Sequence, residues 1–171
     1  MKNFFIISIT ILFLILEVSF FANVKILGVS PNIFLMFLIA SSFIIPEKDL
    51  IYLTFFGSLF LDLFSPMNFG FQILINIMII FFVLLASYFI FSNVSFVLLL
   101  VLAILSTVIS DVFYGLALYL SGFKIDIIFF AKNFLVSKII VNSIIIMIIY
   151  PVVDLGWERI SKIEGRVKLL R

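Results

Sequence analysis

The stretch Phe69–Phe91 reads FGFQILINIMIIFFVLLASYFIF. It contains no charged residue, and its two amides, Gln72 and Asn76, both stand near its start. About 20 apolar residues, rising ~1.5 Å each, are needed to cross the ~30 Å hydrocarbon layer of a bilayer. This run therefore predicts a transmembrane helix, and similar runs lie on both sides of it. Downstream, past Ser92-Asn93, Val94–Leu120 is long enough to span with a tilt and ends at Ser121-Gly122-Phe123-Lys124. Upstream, Leu50–Phe64 ends at Ser65-Pro66-Met67-Asn68. It is preceded by Ile33–Ile45 and the polar turn Pro46-Glu47-Lys48-Asp49.

The remaining runs complete a set of six. Ile33–Ile45 is entered through Ser30-Pro31-Asn32, which places Ser30 as N-cap and Pro31 at the first helical position, where its missing N–H costs nothing. The second and third runs are short for a full span. They either extend into their flanks or form a close antiparallel pair in a thinned bilayer. Short helices in transporters often border a binding site, but simple mismatch is the commoner cause. Phe4–Ala22, broken by Glu17, follows the single basic residue Lys2. A signal peptide would continue into a small-x-small cleavage site. Phe20-Phe21-Ala22-Asn23 offers none, so a retained first helix is expected. In the last run, Ile127–Asn133 reads as interfacial and Phe134–Val153 as the sixth span, before Asp154-Leu155-Gly156-Trp157. The expected fold is an all-α integral membrane bundle over residues 1–156, with a basic amphipathic cytoplasmic tail over 157–171.

Composition agrees with this. The chain is 65% hydrophobic and 12% charged over 171 residues, with mean hydropathy +1.44. Soluble domains are nearer half apolar and a quarter charged, so too few charges are present to coat a globule in water. The absence of cysteine and histidine removes disulfides, thiolate and imidazole metal sites, and nucleophile systems built on either residue. No cofactor is implied, and a net charge of +2 makes no argument for nucleic acid.

Orientation follows from the basic residues, which collect on the cytoplasmic side. With six crossings, Lys2, Lys48 and the tail residues Arg159, Lys162, Arg166, Lys168 and Arg171 share one side. Lys25, Lys124, Lys132 and Lys138 fall on the other, so both termini are expected in the cytoplasm. In the tail, Ile160, Ile163, Val167 and Leu170 recur at helical spacing opposite Arg159, Lys162 and Arg166. That pattern suits either a helix resting on anionic headgroups or a positive-inside signal with no binding role.

Ionisable groups at membrane depth cost roughly 2.5 kcal/mol or more, so each needs a reason. On this topology Glu17, Asp62, Gln72, Asn76, Asp111, Lys138 and Asn142 all fall in the outer half, leaving the inner half apolar apart from hydroxyls. Gln72/Asn76 and Lys138/Asn142 are each spaced i, i+4 and so project from one face. The expectation is a polar cluster in which Lys138 neutralises Asp111 or Asp62. It serves as a pocket or docking surface, or more plainly as interhelical hydrogen bonds and end residues reaching water. The plainer reading suits Glu17 and Asp62, and a paired interior role suits Asp111. Gly57, Ser106, Ser110 and Gly115 are the small residues that would let helices approach closely.

Between Pro31 and Leu74 the order is Pro31-Asn32, an apolar helix, a charged turn, then Gly57-Ser-Leu-Phe-Leu-Asp62, a short loop and Gly70 before the next helix. Near the end stand Asn142, Tyr150-Pro151 and the basic tail. This order resembles the MreD family, the rod shape-determining membrane proteins of bacteria, although Gly57 stands alone where many members carry further glycines. The resemblance covers nearly the whole chain through short, largely hydrophobic motifs. It implies a non-enzymatic scaffold of the cytoplasmic (inner) membrane that binds the bitopic protein MreC. It further implies a place in the complex of MreB filaments, a RodA-type polymerase and a class B transpeptidase, which directs side-wall peptidoglycan synthesis. On that basis Gly57, Asp62 and Gly70 are the expected partner-binding residues.

The chain also resembles, in size and layout, the substrate-binding S component of an energy-coupling-factor vitamin transporter, whose ligand cavity lies in the outer half. Such proteins usually carry Ala-x-x-x-Ala in the first helix, whereas Ser8, Ser19 and Ala22 here are not spaced by four. Nanomolar binding of a thiamin- or riboflavin-like ligand would separate the two readings. An intramembrane aspartyl enzyme using Asp62 and Asp111 is a third class. The Asp-Arg and Asn-containing signatures of lipoprotein signal peptidase are absent. No polar path continues through the inner half to form a channel.

Overall fold

A computed structural model describes residues 2–65, 69–90, 96–120, 122 and 134–169. It is all-helical, with no strand among the described residues. Helix α1 (Lys2–Ile15) widens into a π-helical segment (Leu16–Phe21) that begins one residue before Glu17. There follow α2 (Ile33–Ser41), α3 (Glu47–Phe64), α4 (Phe71–Ile90), α5 (Phe96–Leu120) and α6 (Val136–Leu169). Four helical stretches are long and apolar enough to cross a membrane: Phe4–Phe21, Phe71–Tyr88, Phe96–Leu120 and Val136–Ile163.

The second run differs most from expectation. Its helix has nine residues, about 14 Å of rise, and ends at Ser41 rather than Ile45. Phe34 through Ser41 are all fully buried, because α2 is the axis of the bundle and touches every other helix. A helix apolar on all sides belongs in such a place. Its N-cap is Asn32, two residues beyond the expected Ser30, and the Asn32 side chain accepts from the Leu35 N–H at 3.1 Å.

Around this axis the helices pack as antiparallel neighbours, with α3 against α4 and α5 against α6 forming the largest peripheral interfaces. Phe34 of α2 lies directly over Gly57 of α3, where any Cβ would run into the ring. Phe13 of α1 stacks on Phe37 of α2 with ring centroids 4.6 Å apart. The outer surface is apolar, with Phe4, Phe56, Phe81, Val97 and Ile148 among many exposed large side chains.

Helix α6 passes without a break through Asp154-Leu155-Gly156-Trp157, which the sequence reads as the end of the last span. Its 34 residues extend about 51 Å. The Phe5 ring of α1 covers Gly156, and Lys2 Nζ sits 5.1 Å from the centre of the Trp157 ring. Gly156 therefore serves α1–α6 packing rather than a helix end. Arg159 and Lys162 are exposed on this extension, and Lys162 pairs with Glu158 at 2.8 Å. Arg166 lies on the same helix, its side chain outside the described ones, and the segment Ile127–Asn133 is likewise outside the described residues.

Gly57→Ala should destabilise the bundle by about 1–3 kcal/mol through overpacking, and adding Phe34→Leu should recover part of that loss. Thermal loss of helical circular dichroism in detergent measures both. Unchanged stability of Gly57→Ala would mean that Phe34 can turn aside.

Candidate functional site

The first N–H groups of a helix have no partner within it, and a buried helix end must find them elsewhere. For α2 the partners are a side chain of α1 and the cap residue Asn32, itself held by α6. Glu17 Oε2 accepts the N–H groups of Ile33 at 2.7 Å and Phe34 at 3.2 Å. Asn32 caps Leu35, and the Asn32 N–H donates to Asn142 Oδ1 at 3.0 Å. A carboxylate at a helix N-terminus also gains from the aligned peptide dipoles. Glu17 is thus the acidic cap of a helix it does not belong to, delivered by the π-helical segment of α1.

Asn142 continues the network. Its Nδ2 donates to Thr107 Oγ1 of α5 at 3.1 Å, and the Thr107 hydroxyl donates to the Ala103 carbonyl. Four residues on in α5 and four back in α6, Lys138 Nζ pairs with Asp111 Oδ1 at 2.5 Å. The second Asp111 oxygen is buried and has no hydrogen-bond partner. Lys138 therefore neutralises Asp111 rather than Asp62.

The α3–α4 hairpin repeats the device. Asp62, in the last turn of α3, caps α4. Its Oδ1 accepts from the Gln72 N–H at 2.9 Å, and its Oδ2 accepts from the N–H groups of Gly70 and Ile73. Gly70 holds φ +92°, which a side chain would strain. One turn deeper, Asn76 Nδ2 donates to Ser58 Oγ at 2.9 Å, both groups buried.

Between the two networks lies a half-open cavity of about 390 Å³. Glu17 and Gln72 line it together with Asn32, Ser30, Ser65, Tyr114 and the aromatic side chains Phe21 and Phe64. All seven polar residues singled out in the sequence thus lie at one end of the bundle. Glu17, Asn142, Asp111 and Lys138 fall in one network, and Asp62, Gln72 and Asn76 in the other. Sequence reading missed Ser58, Thr107 and Tyr114, and took Asn32 only as part of a helix entry. Ser58 and Thr107 each precede an aspartate by four residues, the same spacing as Gln72/Asn76, and that signal could have found them. Of the small residues, Gly57 makes a close helix approach and Ser106 is fully buried, whereas a Cβ at Gly115 would meet open space.

Chemically, the carboxylates are engaged as caps or as an ion pair, and no bond joins Asp62 to Asp111 among the described residues. No group of three metal-ligating side chains occurs among them either. Comparison of the chain with protein-family profiles, with curated proteins and with solved structures returns no match.

Asp111→Lys or Lys138→Asp alone should cost about 3 kcal/mol or more, the usual result of leaving a buried charge without its partner. The double reversal should regain part of it. A double variant that melts no higher than either single one would show that the pair contributes nothing.

Proposed function

We propose that this chain is a six-helix scaffold of the bacterial cytoplasmic membrane that binds a single-pass, MreC-like partner and supports side-wall peptidoglycan synthesis. Membrane embedding is supported by four long apolar helices and by a surface of exposed phenylalanine, leucine and isoleucine. Between helices in lipid the hydrophobic effect gives no drive, so packing and interhelical hydrogen bonds hold the bundle. The Glu17, Asp62, Asn142 and Lys138 contacts supply such bonds. In this reading the Glu17 end is the outer one, and the termini are cytoplasmic.

The short α2 fits that topology. Asp49 and Tyr52 of α3 share a groove with Ile6 and Ile7 of α1, so the α2–α3 turn reaches the level of the first turns of α1. Residues 42–45 complete the path that nine helical residues begin.

One observation carries the docking half of the proposal: that same groove, about 420 Å³, between α1 and α3. Its walls include Ile11, Leu14, Leu53, Phe56 and Phe60, with Gly57 among the lining residues and Asp49 the one charge among the described ones. An apolar trough along two helices, facing the hydrocarbon, is the shape that receives a third helix. Engagement of the carboxylates as caps supports a non-enzymatic role.

The chain is free of cysteine, which makes single-cysteine experiments direct. Lys162→Cys should react with an impermeant maleimide only in inside-out vesicles, and Leu27→Cys only from outside the cell. The opposite pattern would invert the bundle and defeat the orientation. Cysteines at the groove positions Ile11 and Phe56 should cross-link to the transmembrane helix of a co-expressed MreC-like protein. Cysteines at Val97 and Leu116, both exposed on α5, should not. Failure of the two proteins to co-purify, or equal cross-linking from α5, would remove the docking proposal.

A further inference from the structure

The cavity between the two polar networks plays no part in the scaffold proposal, yet its lining has a definite chemistry. Glu17 engages α2 through Oε2, and its Oε1 has no hydrogen bond to a described residue. No lysine or arginine lines the cavity among the described residues, and the nearby Lys138 is paired with Asp111. Phe21, Phe64 and Tyr114 contribute three aromatic rings, and Val18, Leu61 and Pro31 add apolar wall. Gln72 and Ser30 add hydrogen-bonding groups.

Among the described lining residues no positive charge is offered to an anion. The donors of a helix N-terminus ordinarily recruit one, but Glu17 and Asn32 already occupy those of α2 and Asp62 those of α4. A neutral apolar guest would leave the Glu17 carboxylate in the lining without a partner for its second oxygen, at the desolvation cost of an unpaired polar group. A cation satisfies both parts of the lining: carboxylate for the charge and aromatic rings for the body, an arrangement that recognises ammonium groups. The volume lies in the range of small-molecule sites, about 300–1,000 Å³.

We infer that the cavity lined by Glu17, Gln72, Phe21, Phe64 and Tyr114 is a binding site for an organic ammonium group, primary or quaternary, carried by a free small molecule or by a lipid headgroup. This inference does not rest on the MreC-like partner, because it is measured on the purified chain alone.

The test uses the full chain in a maltoside detergent, titrated calorimetrically with choline and with ethanolamine. In parallel, native mass spectrometry offers it equal amounts of phosphatidylethanolamine and phosphatidylglycerol. Saturable binding of a free amine identifies a soluble ligand, whereas retention of phosphatidylethanolamine alone identifies the headgroup. Glu17→Gln should weaken whichever is bound at least tenfold. Because Glu17 also caps α2, Phe64→Leu and Tyr114→Leu serve as variants that leave the cap intact, each expected to weaken binding several-fold at unchanged melting temperature. Absence of binding by all ammonium probes, preference for phosphatidylglycerol, or affinity unchanged in all three variants overturns the assignment.

Discussion

The bundle depends on one constraint: α2 starts in the interior, and its first N–H groups must be bonded there. In hydrocarbon an unsatisfied backbone group costs several kcal/mol. Three donors are met by Glu17 and Asn32, and the Asn32 N–H itself by Asn142. Those contacts fix more than one helix end. They set the depth of α1 through Glu17 and the rotation of α6 through Asn142, and Asn142 in turn positions α5 through Thr107. A nine-residue helix would be marginal alone. Here its stability and its neighbours' positions are the same set of bonds.

The outer hairpins solve a related problem with a shared pattern. In α3–α4 an aspartate and, four residues earlier, a hydroxyl face Gln72 and Asn76; in α5–α6 an aspartate and a hydroxyl face Lys138 and Asn142. In each, two polar rungs lie one helical turn apart at the same end of the bundle. Toward the opposite end the Phe5–Gly156 contact is steric, and Lys2 lies over the Trp157 ring. Among the described residues the buried hydrogen bonds between side chains of different helices are at the Asn76 and Asn142 end.

Much of this was legible in the sequence, for physical reasons. Uninterrupted apolar length reports helices that need no water, and the exposed positions of α1, α4, α5 and α6 bear that out at the level of an all-helical bundle. Rare polar residues in such runs report contacts, which is how Glu17, Asp62, Asp111, Lys138 and Asn142 could be singled out. The length of α2 was not legible, because Ile33–Ile45 is apolar throughout save for Ser41 and Ser42. Nothing in it distinguishes a buried nine-residue helix from a longer one. The capping position was misplaced for a similar reason. Ser30 and Asn32 are both good caps, and Asn142, 110 residues away, decides between them. That α6 runs on through Gly156 was not legible either, because the residue packed against Gly156 is Phe5, near the other end of the chain.

The length of α6 has a mechanical consequence. Its 34 residues extend about 51 Å, more than the ~30 Å of a bilayer core. One continuous element is therefore held at two places far apart: by the Lys138 and Asn142 rungs near its start, and by Phe5 and Lys2 of α1 at Gly156 and Trp157. The buried polar contacts and the basic C-terminal residues thus share a single backbone.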